Sequence, residues 1–145
     1  MLVNVIGGSK SQKKHVHKMV EFCAKMLMPR MSTLDITVNL CKPTGAMGYC
    51  LETDNKRTFE IEIDKTQSLR RVLETLAHEM VHVKQYARRE LHPSTDLWCG
   101  KTVNPKKTSY WDLPWEIEAH GREVGLFVRY CEANKLGKQK WTQLQ

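Results

Sequence analysis

No stretch of the chain approaches about 18 consecutive apolar residues, which excludes a membrane-spanning helix. The N-terminal "MLVNVIGGSKSQKK" has too short an apolar part, and the wrong order of charge, for a secretory leader. There is no internal repeat and no low-complexity run. No two cysteines stand as CxxC. The five present (Cys23, Cys41, Cys50, Cys99 and Cys131) are odd in number and widely spaced. Neither a disulfide framework nor a four-cysteine zinc knuckle is therefore expected. Reduced thiols in a cytoplasmic protein are the simplest expectation. Aromatic residues are few, at 8%, and they do not interleave with the basic clusters as base-stacking platforms would.

What is present describes a globular chain. Its 145 residues, 41% hydrophobic and 27% charged, fit one domain over 1–145 that buries roughly 70% of its unfolded surface. The net charge is +7. Basic residues occur at 10–18, 70–71, 84–89, 106–108 and 135–140. That balance is compatible with an acidic partner, nucleic acid included, although scattered clusters read more simply as a solvated surface.

Residues 12–28 carry apolar positions at three- and four-residue intervals, with Ser9 or Ser11 as cap and Pro29 beyond the end, which predicts a helix. "LDITVNL" (34–40) alternates and reads as a strand; "GYCLETD" (48–54) is a second. "NK" (55–56) is a tight-turn candidate, and "RTFEIEID" (57–64) a third strand with Phe59, Ile61 and Ile63 on one face. Together they predict a small, mostly antiparallel sheet. From Ser68 to about Glu90 the period becomes helical. Residues 91–113 are irregular, and so long a loop in a compact domain suggests a functional role. A second long helix follows, with Pro114 in its first turn. The tail 134–145 is expected to fray, with Trp141 as a pin.

The stretch "TLAHEMVHVKQY" (75–86) places His78 and His82 one helical turn apart on one face. Two imidazoles can then meet one metal, but a catalytic zinc needs a third protein ligand. On a helical wheel the two histidines lie away from the Leu69–Leu76–Met80 stripe, so another element must cover them. The helix after Pro114 puts Glu116, His120 and Glu123 in the middle of its buried face, flanked by Ile117, Val124, Val128 and Cys131 on one side and by Ala119, Leu126 and Tyr130 on the other. Glu118 falls opposite, with Arg122 and Arg129, on the solvated face. Buried ionisable groups are costly unless paired or metal-bound.

"HEMVH" followed thirty-four residues later by "EIEAH" resembles the gluzincin branch of the zincin metallopeptidases. There HExxH precedes a helix that carries a glutamate ligand within ExxA. The succession of helix, small sheet, HExxH helix and ligand-bearing helix is similar to the compact minigluzincin and SprT-like enzymes, over roughly residues 34–131. The resemblance implies an α+β, zincin-like fold, a Zn2+ cofactor, a protein or peptide substrate and zinc endopeptidase activity. It implies His78, His82 and Glu116 as metal ligands and Glu79 as the general base for a zinc-activated water. His120 stands where many gluzincins carry aspartate; it is either a replacement for Glu116 or, like Glu123, a residue that orients a ligand. Tyr110 is the candidate donor to a developing oxyanion, with His92 as runner-up and simple packing as its alternative. In this fold class the edge strand aligns an extended substrate. The rival expectations are a zincin-like zinc-binding module that binds nucleic acid or a protein partner without proteolysis, and an inert helical domain without metal.

Overall fold

The computed structural model describes residues 1–143 except 44, 54, 56 and 93–95, and for 52 the backbone alone. The chain is α+β. Its elements run β1 (Leu2–Ile6), α1 (Lys10–Leu27), β2 (Asp35–Cys41), β3 (Gly48–Glu52), β4 (Thr58–Asp64), α2 (Leu69–Ala87), three two-residue strands β5 (Leu91–His92), β6 (Leu97–Trp98) and β7 (Lys101–Thr102), and α3 (Pro114–Ala133). Short 3-10 turns stand at Tyr110–Asp112 and Lys140–Thr142. The expected tight turn at 55–56 includes a residue outside the described ones.

Local chemistry accounts for the helix ends. Ser9 and Gln12 form a reciprocal capping box, Ser9 Oγ accepting from the Gln12 amide at 3.1 Å and Gln12 Oε1 from the Ser9 amide at 2.9 Å. Gln12 Nε2 also donates to the Lys65 carbonyl at 2.9 Å, which ties the start of α1 to the end of β4. Ser68 caps α2 by accepting from the Arg71 amide. Pro114 opens α3 where its missing N–H is not needed.

The sheet corrects the expectation of a mostly antiparallel one. Its order is β1-β2-β4-β3, with β1–β2 and β2–β4 parallel and β3–β4 antiparallel. After β2 the chain passes over the neighbouring position and lays β3 at the far edge. β4 then returns into the gap as a hairpin partner of β3 and so runs parallel to β2. Period-two alternation says which face a side chain takes but not which strand lies beside which. β1 was not anticipated; only its Val3 and Val5 pack against the core, while Leu2 and Ile6 are exposed.

One face of the sheet is apolar: Ile36, Val38 and Leu40 of β2 beside Phe59, Ile61 and Ile63 of β4. Against it lie Val16, Met19, Val20 and Cys23 of α1 and Val72, Leu73, Leu76 and Met80 of α2. The result is a two-layer core with α2 as its inner helix. α3 then packs across α2, burying Ala119, Leu126, Phe127 and Tyr130. The tail folds back: the Trp141 ring lies tilted against His15 at 4.9 Å and 6.3 Å from Phe127, and Arg70 Nη1 donates to the Thr142 carbonyl.

The turn from β1 to α1 depends on Gly7. Its φ is +80°, and a β-carbon there would stand 2.4 Å from the Leu40 carbonyl oxygen. Gly7→Ala combines left-handed strain with a backbone clash, so it is expected to destabilise the protein by about 2 kcal/mol or more. Denaturant unfolding would show this as a lower midpoint at unchanged slope.

Candidate metal centre

α2 carries both motif histidines because its sides have different partners. Leu73, Leu76, Met80 and Val83 are buried in the core, and the side bearing His78 and His82 is covered by α3 and by β3. His78, Glu79 and His82 are each less than a tenth exposed.

α3 brings Glu116 to the two imidazoles. His78 Nε2 lies 3.0 Å from Glu116 Oε1, His82 Nε2 lies 3.3 Å from Glu116 Oε2, and the two Nε2 atoms are 3.2 Å apart. Donors at about 2.0–2.1 Å from a tetrahedral ion stand roughly 3.3 Å from one another. The two nitrogens and the two carboxylate oxygens therefore lie close to the spacing a metal would impose, and the group His78, His82 and Glu116 could hold a metal ion. A second set, His78, His120 and Glu123, is also close enough. It leaves out His82, and Glu123 faces Nδ1 of His78 rather than Nε2. The first set uses both motif histidines through the same ring nitrogen, and it is the better fit.

The far side of each imidazole faces an acceptor. His82 Nδ1 lies 2.8 Å from Gln85 Oε1, and His78 Nδ1 lies 3.8 Å from Glu123 Oε1. The His82–Gln85 hydrogen bond fixes the tautomer that leaves Nε2 of His82 free for a metal, while Glu123 stands beyond hydrogen-bond reach of His78. Gln85 was not anticipated. It is fully buried, and its amide also donates to the Trp115 carbonyl and to Glu118 Oε1, both at 3.0 Å. It thus joins a ligand histidine to the helix that delivers Glu116. A polar residue one turn beyond His82 on the same face was the available signal. Gln85→Leu keeps the volume but removes the acceptor for His82 and the donor to Trp115 and Glu118. It is expected to weaken metal affinity about 10- to 100-fold, read by competition with a chromophoric chelator.

His120 and Glu123 stand behind His78. His120 Nδ1 is 2.8 Å from Glu123 Oε1, and its ring centroid is 4.4 Å from that of His78. Arg71 lies 3.9 Å from Glu123. The Tyr110 hydroxyl sits 3.0 Å from Glu116 Oε1 and 2.9 Å from His120 Nε2, at the mouth of the cleft. Burial and the neighbouring Glu116 charge push this phenol above its ordinary value, so it stays protonated and able to donate. His92 is not brought to the site: Leu91, not His92, lines the cleft, and its buried Nδ1 has no hydrogen-bond partner among the described residues.

Electrostatics follow from the crowding of charge. Burial alone would lower His78, but its contacts with Glu116 and Glu123 outweigh that and raise it to about 9. His82 is raised for a similar reason. Burial would lift Glu116, yet the two imidazoles hold it well below the usual carboxylate range. Without metal the group is an imidazolium–carboxylate cluster whose protons a cation would displace. Glu79 differs, because burial dominates and raises its carboxyl despite His82 and His78. A carboxyl poised upward in a cleft suits proton transfer.

Two features of α3 differ from the wheel. Glu118 is not on a solvated face: it pairs with the buried Lys84 ammonium at 2.6 Å, with Gln85 and with Arg122. Ile117, Val124 and Val128 are exposed rather than flanking a buried line. The helix is rotated toward Lys84 and Gln85, which bind Glu118, and this leaves the three aliphatic side chains exposed.

The cleft over these residues has a volume of about 340 Å³ and is bounded by β3 on one side and by Tyr110, Trp115 and Glu116 on the other. Among the described residues no helix is long and apolar enough to cross a membrane. No family model, curated protein or solved structure matches the chain.

Proposed function

We propose that the protein is a zincin-like zinc metallopeptidase of gluzincin or SprT-like type. The observation that carries this reading is the convergence of His78 Nε2 and His82 Nε2, 3.2 Å apart, on the two oxygens of the Glu116 carboxylate at 3.0 and 3.3 Å, with Glu79 beside them in an open cleft. Two nitrogens and a carboxylate suit zinc, and three protein ligands leave a position for water or substrate. Bound there, zinc would supply Lewis acidity and bring the acidity of water near neutral pH.

The chain's own residues divide the remaining work. Glu79 accepts a proton from water as its oxygen adds to the peptide carbonyl carbon. It then gives that proton to the leaving nitrogen as the C–N bond breaks. The Tyr110 hydroxyl donates to the oxygen on which negative charge develops. The sheet ends at β3, which lines the cleft, so an extended peptide would lie along this edge.

Protein loaded with zinc is expected to cleave unstructured polypeptides. Removing the metal with a chelator should abolish cleavage, and restoring zinc should recover it. Cleavage that survives complete metal removal would refute the reading.

A second reading keeps the metal without proteolysis and directs the positive charge at nucleic acid. It is favoured by the contact of Trp141 with His15 at 4.9 Å, which docks the basic tail on the basic helix α1. Retarded duplex mobility that falls steeply with salt, with no peptide cleaved, would decide for it.

A further inference from the structure

The cleft is not uniform along its length, and this suggests which peptides it would take. At the C-terminal end of α2, one turn beyond His82, Tyr86 lines the cavity with Leu91 and Trp115. Trp98 stands behind this wall, its ring centroid 6.4 Å from that of Trp115. The other end carries charged and polar side chains, Arg71 and Thr75 of α2 with Glu123, beside the apolar Ala46 and Met47. Arg71 is held there by Glu74 at 3.3 Å and Glu123 at 3.9 Å.

β3 fixes a direction along this gradient. Its first residue, Gly48, lies against Thr75, since a β-carbon there would meet Thr75 Cγ2 at 2.7 Å. Its last residue, Glu52, pairs in register with Phe59, and Phe59 stacks on Tyr86 at 6.4 Å. β3 therefore runs from the polar end to the aromatic end. A peptide added antiparallel to it, the more stable pairing per residue, runs the opposite way. Its N-terminal part lies at Tyr86, Leu91 and Trp115, and its C-terminal part at Arg71 and Thr75.

We infer that the protein selects peptides with a bulky apolar or aromatic residue on the carbonyl side of the scissile bond, held by Tyr86, Leu91 and Trp115. The leaving-amine side meets Arg71, Thr75 and Glu123 beside Ala46 and Met47, without the cluster formed by Tyr86, Leu91 and Trp115. This rests on the metallopeptidase reading for the bond cut, but the pocket itself can be probed without turnover.

The test uses alanine-based peptides that differ in one residue (Phe, Leu, Asp or Lys), with the full-length zinc-loaded protein. Wild type is assayed for the position of cleavage by mass spectrometry. Binding to the Glu79→Gln protein is measured by calorimetry, which needs no hydrolysis. Phe and Leu peptides are expected to bind about tenfold or more tighter than the Asp peptide and to be cut directly after the apolar residue. Trp115→Ala should reduce the Phe-over-Asp ratio about tenfold, and Trp115→Phe, which keeps an apolar wall, should retain most of it. Zinc-dependent cleavage without apolar preference, or with the apolar residue after the cut, overturns the inference and leaves the metallopeptidase reading standing. Phe-selective binding that Trp115→Ala removes, with no cleavage by wild type, supports the pocket and overturns the hydrolysis. Neither selective binding nor cleavage overturns both.

Discussion

Glu79→Gln is expected to lower kcat/KM for peptide hydrolysis by about 10²- to 10⁴-fold while leaving the zinc content at that of wild type. The two halves of this result separate because Glu79 is outside the ligand group. The atoms that could face a metal are Nε2 of His78, Nε2 of His82 and the Glu116 carboxylate. Glu79 lines the cleft beside them. Glutamine keeps the shape and loses only the capacity to take and return a proton. Burial raises the Glu79 carboxyl, so holding it ionised opposes folding near neutral pH. The uncharged amide is expected to melt at the wild-type temperature or above. Metal analysis and steady-state kinetics on the same preparation would check both halves. A variant that hydrolyses peptides at the wild-type rate would remove Glu79 from the mechanism.

The second large effect distinguishes Glu116 from His120, which the wheel left open. Glu116→Ala is expected to weaken zinc binding on the order of 10³-fold, because a ligand is lost and two buried imidazoles lose their carboxylate. His120→Ala removes a residue whose Nδ1 contacts Glu123 and whose Nε2 contacts the Tyr110 hydroxyl. Its expected cost is nearer 10-fold. Competition titrations against a chelator of known affinity would rank the two. A larger loss from His120→Ala than from Glu116→Ala would reverse the assignment and favour the set of His78, His120 and Glu123.

These expectations share one electrostatic cause. Five ionisable groups, His78, Glu79, His82, Glu116 and Glu123, are packed with little exposure between two helices. Removing one member alters the balance for all, so double variants here should not be additive. Changes on the exposed Ile117–Val124–Val128 face should leave metal affinity unchanged, because no ligand contacts that face.

Helix positions, caps and strand faces were legible in the sequence, because they depend on contacts within a few residues. Ser9 marks the start of its helix through a local hydrogen bond, and Pro114 marks the start of α3 through its fixed φ and missing N–H. The spacing of His78 and His82 needs only the helical pitch. So does the placement of Glu116, His120 and Glu123 near one line of α3. Everything that needed two distant segments was decided by the tertiary structure. Strand order is such a case: alternation in 34–64 is equally consistent with a meander, and the parallel pairing arises because β1 and α1 occupy one side while β3 takes the far edge. The rotation of α3 is another, since Lys84 and Gln85 draw Glu118 inward and turn Ile117 out. The contact of Glu116 with both motif histidines belongs here as well. Glu116 and His120 lie on one helical face, and only the docking of α3 on α2 sets the Glu116 carboxylate 3.0 Å from His78 Nε2. The sequence by itself determined which side chains could act, through residue type and helical period. The packing of α3 and β3 around α2 decided which of them meet, because contact between segments far apart in the chain is settled by the burial of whole faces rather than by spacing along the chain.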